Sequence, residues 1–286
     1  EAFTKPNSIL DQIVGDPNAR GQKTDAGWDN LDFQWTNLIN YQFKVKEKHN
    51  FDLTGMYEYQ KTNFRNYSLT RKGFVNGELP TAGTAVVGVP FTGRTENATI
   101  SYFGQLDYDY DGKYLLTVVG RNDGSSRLGD DKWEDAYGVS AGWVLSKDLF
   151  NNNNIVNFLK LRASYGELNS TAGVGSYDAV SLFNSTSYAN ATATNLTSGN
   201  AANTKLGFEQ AKKQDYGIEA RFFKNRLNLG ASYFYDLREN FIYDDYLPAT
   251  GWNSTINAGK WVAKGFELEL RGAVIKSENV NLMRYR

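Results

Sequence analysis

Polar and apolar positions alternate along much of this chain. In residues 51–60, Phe51, Leu53, Gly55, Tyr57 and Tyr59 fall on one side of a two-residue period, and Asp52, Thr54, Met56, Glu58 and Gln60 fall on the other. Residues 100–110 repeat the pattern, with Ile100, Tyr102, Gly104, Leu106, Tyr108 and Tyr110 opposite Ser101, Phe103, Gln105, Asp107 and Asp109. The same period runs through residues 137–146, 159–166, 215–222, 227–236 and 266–271. Successive side chains of an extended strand point to opposite faces, so each stretch predicts a β-strand with one apolar and one polar face. Weaker alternation predicts strands over 31–45 and 114–121, and 280–286 reads as the start of another, making roughly nine strands and a stub.

The connections carry a second pattern. Residues 46–50, 111–113, 224–226 and 277–279 read as tight polar turns, whereas 71–97, 122–134, 169–207 and 239–262 read as long links. The intermediate link 147–157 falls where a short turn is due and has room for a helical turn. If all tight turns lie at one end of a meander, all long links lie at the other, which is the wiring of outer-membrane barrels. A soluble β-sandwich alternates too, but its strands are usually only about 5–6 residues long, and several here run to ten or more. The aromatics Tyr57, Tyr59, Tyr108, Tyr110, Tyr114, Trp143, Tyr233 and Tyr235 also sit near strand ends, as interfacial girdles require. The expected fold is therefore all-β: an antiparallel up-and-down meander forming an open segment of a large transmembrane β-barrel.

Composition agrees and narrows the chemistry. The 18 Tyr and 17 Phe suit strands. The mean hydropathy of −0.54 and the lack of any long apolar run argue against a transmembrane helix, but alternating barrel strands average out as polar. A net charge of −1 gives no reason to expect a nucleic-acid partner. There is no Cys and only one His, His49, so a thiolate metal site or a His-based triad has almost nothing to be built from. No enzymatic activity and no cofactor are expected. The opening at residues 5–27 is loop-like and the chain stops within strand-like sequence, so the whole of 1–286 is expected to be part of a longer barrel domain.

Some short motifs have plain explanations. Asp107-Tyr-Asp-Tyr-Asp-Gly112 matches the first half of a calcium loop, but Val118 stands where the bidentate Glu belongs. Leu247-Pro-Ala-Thr-Gly251 reads as a Pro/Gly-punctuated loop. The sequons at Asn195 and Asn253 mark polar loops, and His49 reads as a solvated turn residue. The charged strand positions Glu58, Arg121, Arg162, Glu219, Arg221, Glu267, Glu269 and Arg271 are expected to face a lumen, because Arg or Lys facing lipid at the midplane costs about 2–4 kcal/mol. They would line a substrate route or hydrogen-bond to one another in a wet interior. Candidate substrate contacts are the loop aromatics Tyr177, Phe183, Tyr188, Tyr243, Tyr246 and Trp252.

Ser101-Tyr-Phe-Gly-Gln-Leu-Asp-Tyr-Asp-Tyr-Asp-Gly-Lys-Tyr-Leu-Leu-Thr117, followed by Arg121-Asn-Asp-Gly-Ser-Ser-Arg127, resembles the barrel of SusC/RagA-type TonB-dependent transporters. So do Val139-Ser-Ala-Gly-Trp143, Leu159-Lys-Leu-Arg-Ala-Ser-Tyr-Gly166, Phe223-Lys-Asn-Arg-Leu227 and Ala263-Lys-Gly-Phe-Glu-Leu-Glu-Leu270. The resemblance implies a plugged barrel of about 22 strands, in the outer membrane of a Gram-negative, Bacteroidetes-like cell. It implies import of glycan or peptide fragments, powered through a TonB complex and served by a SusD-like surface lipoprotein. No plug or TonB-contacting segment is recognisable in these residues, so energy coupling is expected of the parent protein. Outer-membrane lipid is the expected surrounding. A passive porin-type or structural barrel is the alternative, and a soluble carbohydrate-binding sandwich a further one.

Overall fold

The alternating stretches do form strands, and the tight polar segments at 46–48, 111–113 and 223–226 form turns between them, while 278–279 lie outside the described residues. The computed structural model describes residues 2–4, 22–72, 87–150, 155–188, 191–196, 201–249, 251–277 and 280–285. In chain order the strands are β1 (Ala2–Thr4), β2 (Gln22–Val45), β3 (His49–Lys72), β4 (Val87–Tyr110), β5 (Tyr114–Ser125), β6 (Trp133–Val144), β7 (Val156–Ser170), β8 (Phe183–Tyr188), β9 (Ala191–Leu196), β10 (Glu209–Phe222), β11 (Leu227–Leu247), β12 (Trp252–Ser277) and β13 (Val280–Tyr285). One helical turn, α1 (Ser146–Leu149), joins β6 to β7. Eleven strands form one sheet in the order β1-β2-β3-β4-β5-β6-β7-β10-β11-β12-β13, and β8 and β9 make a separate hairpin. The order follows the chain, as an up-and-down meander requires.

The nine expected strands are β2–β7 and β10–β12, with β13 as the stub. Three features differ from expectation. First, β2 starts at Gln22, inside the stretch read as loop, while residues 5–21 lie outside the described residues. Second, the link 239–262 is nearly all strand, since β11 and β12 stay in register from Leu227↔Gly272 to Leu247↔Trp252. The links 71–97 and 122–134 shrink likewise, the first to residues 73–86 outside the described residues and the second to 126–132. Third, the link 169–207 contains the β8–β9 hairpin. Ladder pairing satisfies the backbone whatever side chains it carries, and without apolar alternation periodicity does not report a strand there.

The molecule divides into two compact units, residues 1–34 with 60–98 and residues 35–59 with 99–286. In the first, Trp28 stacks on Phe64 at 6.3 Å, Thr24 and Thr70 hydroxyls lie 3.0 Å apart, and Asp25 is held by Lys23 and Arg71.

In the second unit the registers align whole rows of like side chains. Tyr108, Leu116, Ala141, Ala163, Tyr216, Tyr233 and Phe266 are successive neighbours from β4 to β12. Two positions along lie Tyr110, Tyr114, Trp143, Leu161, Ile218, Ala231 and Leu268. The row between them points to the other face: Asp109, Leu115, Gly142, Arg162, Gly217, Ser232 and Glu267. Asp111 and Gly112, like Lys46 and Glu47, take positive φ, the conformation of two-residue hairpin turns whose twist matches that of the strands. The apolar face is open, with Phe266 85% and Leu268 76% exposed. A soluble sandwich would bury it under a second large sheet, and among the described residues the only other sheet is the β8–β9 hairpin.

Burial is concentrated elsewhere. Leu128, Val174, Leu206 and Phe208, from three different connections, form a dry cluster against Ile242 of β11. Leu128 and Leu206 are the largest fully buried side chains among the described residues. Gly129 donates its N–H to the Leu206 carbonyl at 2.9 Å and Asp130 donates to Thr204 at 2.6 Å. A Cβ at Gly129 would run into the Thr204 carbonyl, so glycine permits this approach.

Leu206→Ala is expected to lower the free energy of opening of this cluster by about 2–5 kcal/mol, read as faster amide exchange over residues 126–132 and 201–208. Unchanged exchange there would show that the cluster is not what holds these connections.

Candidate functional site

All eight charged strand positions singled out from the sequence lie on the polar face. Arg121 donates through Nε to both oxygens of Asp123, at 2.7 and 2.8 Å, and through an Nη to Ser101 at 3.2 Å, while Ser101 donates to Asp123 at 2.5 Å. Arg162 reaches Asp215 at 2.6 Å and Glu219 at 3.9 Å. It lies flat over Gly217, where a Cβ would meet the guanidinium. Arg221 stands 4.7 Å over the ring of Phe158, Thr36 donates to Glu58 at 3.2 Å, and Glu269 pairs with Arg271. Glu267 is exposed opposite Ser232. Further along, Lys213 reaches Asp236 at 3.7 Å and Arg238 reaches Glu209 at 3.8 Å. Signs therefore alternate across the face, which suits a hydrated wall without a strong field of either sign.

The six loop aromatics are spread rather than gathered. Tyr177 lies in a turn of the 171–182 connection and Phe183 begins β8. Tyr243 and Tyr246 stand an odd number of positions apart on β11, hence on opposite faces of the β11–β12 hairpin, and Trp252 lies across from Leu247 beside its turn. The side chain of Tyr188 lies outside the described residues, as does that of Asn195.

What organises this region was not among the expected residues. Asn257 donates to the Gly207 carbonyl at 3.0 Å and to the Asn240 carbonyl at 3.1 Å, and accepts from the Gly207 N–H at 2.7 Å. Asn203 donates to the Thr255 carbonyl at 2.9 Å and accepts from the Lys205 N–H at 3.0 Å. Thr255 donates to Asp244 at 2.7 Å and Asp178 at 3.2 Å. These side chains stitch the 171–208 connection to the far half of the β11–β12 hairpin. A signal existed in the sequence: Leu128-Gly129, Val174-Gly175 and Leu206-Gly207 each set an apolar residue directly before a glycine within a connection.

The tight-turn end is ordered by aromatics and one carboxylate. Phe43 stacks on Phe51 at 4.8 Å, Phe51 meets Tyr108 at 4.9 Å, Tyr110 meets Tyr114 at 6.1 Å, and Tyr114 meets Trp143 at 6.0 Å. His49, expected to be solvated, is the first residue of β3, with Nδ1 at 2.8 Å from the Tyr108 hydroxyl. A second file of rings runs through Trp35, Tyr57, Tyr102 and Trp133, with spacings of 5.9, 5.3 and 6.1 Å. Tyr102 and Tyr110, one from each file, are about 26 Å apart along β4, which on a strand tilted by about 40° is about 20 Å of height, somewhat less than the apolar band of an outer-membrane barrel. In α1, Asp148 accepts from Lys113 at 2.6 Å, from Trp143 Nε1 at 3.1 Å and from the Tyr114 hydroxyl at 3.2 Å. The Lys113 contact first, and then the indole, hold the Asp148 carboxyl below the ordinary carboxylate range, and the same contact raises Lys113 against the opposing effect of desolvation.

Asp107 and Asp109 of the calcium-like motif are engaged locally: Asp109 accepts the Gly112 N–H at 2.6 Å, and Asp107 accepts from Gln105 and Thr117. Among the described residues no group of three or more His, Cys, Asp or Glu could hold a metal ion.

The family model described as "TonB dependent receptor-like, beta-barrel" matches residues 3–285. TonB-dependent receptor P26 of Formosa agariphila is 31% identical over 291 residues, covering 96% of this chain and 28% of that protein. TonB-dependent receptor SusC of Bacteroides thetaiotaomicron is 26% identical over 197 residues, covering 65% of this chain and 19% of that protein. The chain thus spans about a quarter of the length of the curated relatives it matches. Among solved structures, the RagAB peptide transporter superposes with a TM-score of 0.82 at 22% identity, covering 97% of this chain and 31% of that one, which shows a shared fold.

The Asp148 clamp has a defined pH window. Its carboxylate contributes fully above the ordinary value of 3.8 and is lost as pH falls through the lowered one. Lys113 contributes fully below 10.5 and is lost as pH rises through its raised value. The Trp143 indole N–H resonance is expected to stay constant between those limits and to move only outside them. Asp148→Asn should remove the movement at the acid limb, and an unaltered acid limb would mean that another carboxyl governs it.

Proposed function

Because this chain belongs to the TonB-dependent receptor β-barrel family, we propose that it forms barrel wall in an outer-membrane transporter that imports glycan or peptide fragments. The observation that carries the reading is the aligned set of apolar rows, continuous from β4 to β12, with the row between them, from Asp109 through Arg162 to Glu267, turned to the other, ion-paired face. Lipid covers the apolar face, and the polar face, with Arg121, Arg162, Glu219 and Glu267, lines the lumen. Residues 1–286 are barrel domain, and the plug and TonB contact belong to other parts of the longer protein. The long connections, with Tyr177, Phe183, Tyr243, Tyr246 and Trp252, face the outside and meet the nutrient and a SusD-like lipoprotein. The tight turns face the periplasm. That the structural neighbour RagAB is a peptide transporter supports peptides as one candidate class. The host is a Gram-negative bacterium, consistent with relatives from Formosa and Bacteroides. The protein moves its substrate without converting it.

The test uses the full-length protein in its host. Uptake of labelled oligopeptides or oligosaccharides should be lost on deleting the gene and equally on inactivating TonB, whereas uptake that survives TonB loss would make the barrel a passive channel. Orientation is read by thiol labelling, since these residues contain no Cys. A cysteine replacing Ser181 should react in intact cells, and one replacing Lys224 only after the outer membrane is permeabilised. The reverse result would invert the assignment of ends.

Leu268→Arg is expected to destabilise the membrane-embedded protein by about 2–4 kcal/mol, measured by reversible unfolding in lipid vesicles. Glu267→Arg, on the other face, should cost far less. Equal costs would contradict a lipid-covered apolar face.

A further inference from the structure

The rim formed by the tight turns carries a pattern that transport does not require. Turns distant in sequence are joined here by hydrogen bonds. The Asp111 N–H donates to the Lys48 carbonyl at 2.8 Å, the Val144 N–H donates to the Lys113 carbonyl at 2.8 Å, and Lys147 Nζ donates to the Asp111 carbonyl at 3.0 Å. Further along, the Phe223 N–H donates to the Ile155 carbonyl at 2.9 Å, and the Lys224 N–H donates to Asn157 Oδ1 at 2.5 Å. Beside the 111–113 turn, whose Lys113 is taken up by Asp148, the other turns present cations to solvent: Lys46 and Lys48, then Lys147, then Lys224 and Arg226, all exposed. None of the ion pairs found among the described residues involves any of the five.

The acids of the rim do not cancel them. Asp148 is taken up by Lys113, Tyr114 and Trp143, and Asp109 accepts the Gly112 N–H. A neutral amide leaves the charge of Asp109 in place, so Glu47, Asp109 and Asp111 stand against the five cations and the rim keeps an excess of positive charge. This rim lies directly beside the aromatic file of Phe51, Tyr108, Tyr110, Tyr114 and Trp143, whose rings and polar edges suit the boundary between hydrocarbon and headgroups. Long basic side chains at that level extend along the apolar surface and place their charge among lipid phosphates.

We propose that the tight-turn rim is a binding surface for anionic phospholipid headgroups of the adjoining leaflet, engaged by Lys46, Lys48, Lys147, Lys224 and Arg226. The proposal rests on the membrane-barrel reading above. Its chemistry is that of ammonium and guanidinium groups on phosphodiesters, with Arg226 able to bind in a bidentate manner. Each cation near an anionic lipid surface raises the local preference roughly fivefold. Continuity with the apolar face selects a lipid over a free phosphate, since the acyl chains would lie against Tyr108, Leu116 and their neighbours.

The full-length protein, extracted in mild detergent from its own outer membrane, is analysed by mass spectrometry for co-purifying lipids. Phosphatidylglycerol and cardiolipin are expected to be enriched over phosphatidylethanolamine relative to the membrane from which the protein came. The combined variant K46Q/K48Q/K224Q/R226Q should lose that enrichment by roughly tenfold or more, with unchanged thermal unfolding showing that the barrel is intact. The variant K260Q/K264Q, exposed on β12 toward the opposite end, should keep it. Inorganic phosphate at millimolar concentration should not displace the lipid. Bound lipids that mirror the membrane, an enrichment that survives the fourfold variant, or displacement by phosphate alone would each overturn the proposal. Failure to recover the protein in the outer-membrane fraction would instead overturn the barrel reading beneath it.

Discussion

A backbone that crosses hydrocarbon has no water to satisfy its N–H and C=O groups, so each must find a partner within the protein. A meander of neighbouring antiparallel strands does this, and its side-chain geometry follows from it. Pairing fixes register, and register decides which face each residue takes. A slip of one residue would carry Leu268 to the polar side and Glu267 to the apolar side, and would do the same to every residue of the strand. The row from Tyr108 to Phe266 and the row from Asp109 to Glu267 are therefore two readings of one constraint, the second being where the polar complement of the first is obliged to stand.

This constraint also explains where burial occurs. A wall one strand thick, with lipid proposed on one side and a wet interior on the other, encloses no core of its own. The residues that pack as in a soluble domain are in the connections, around Leu128 and Leu206. There the backbone has left the ladder, and the Gly207 amide and carbonyl are paired by Asn257 and the Lys205 amide by Asn203, which also reaches across to the Thr255 carbonyl of β12. An Asn side chain carries both a donor and an acceptor, and Asn257 uses both on Gly207, imitating a strand neighbour where no strand exists. At the other end, Asp148 gathers the ammonium of Lys113 with the polar edges of Trp143 and Tyr114, which keeps the rings of two adjacent strands at one level.

The strands of the wall, their faces and the tight turns were legible in the amino-acid order because a strand between two unlike surroundings carries a two-residue period and the twist of the strands favours positive φ at turns such as Asp111-Gly112. The same residues carried the family resemblance, and the charged positions Arg121, Arg162, Glu219 and Glu267 could be assigned to the polar face by parity alone. The far half of the β11–β12 hairpin could not be read this way. With the 171–208 connection packed on one face and no lipid to demand an apolar side, Tyr243, Asp244, Asp245 and Tyr246 follow no period, although the backbone pairs through them without a break.

Sequence by itself thus determined the secondary structure of the wall and its two faces, since each rests on neighbours one or two positions away and on the solvent each face must meet. Tertiary structure decided the rest: the cluster of Leu128, Val174, Leu206 and Phe208, the Asn257 and Asn203 contacts, the clamp at Asp148 and the continuity of the basic rim. Each joins residues far apart in the chain whose individual environments carry no period. Only pairing of the intervening strands brings them within hydrogen-bonding distance.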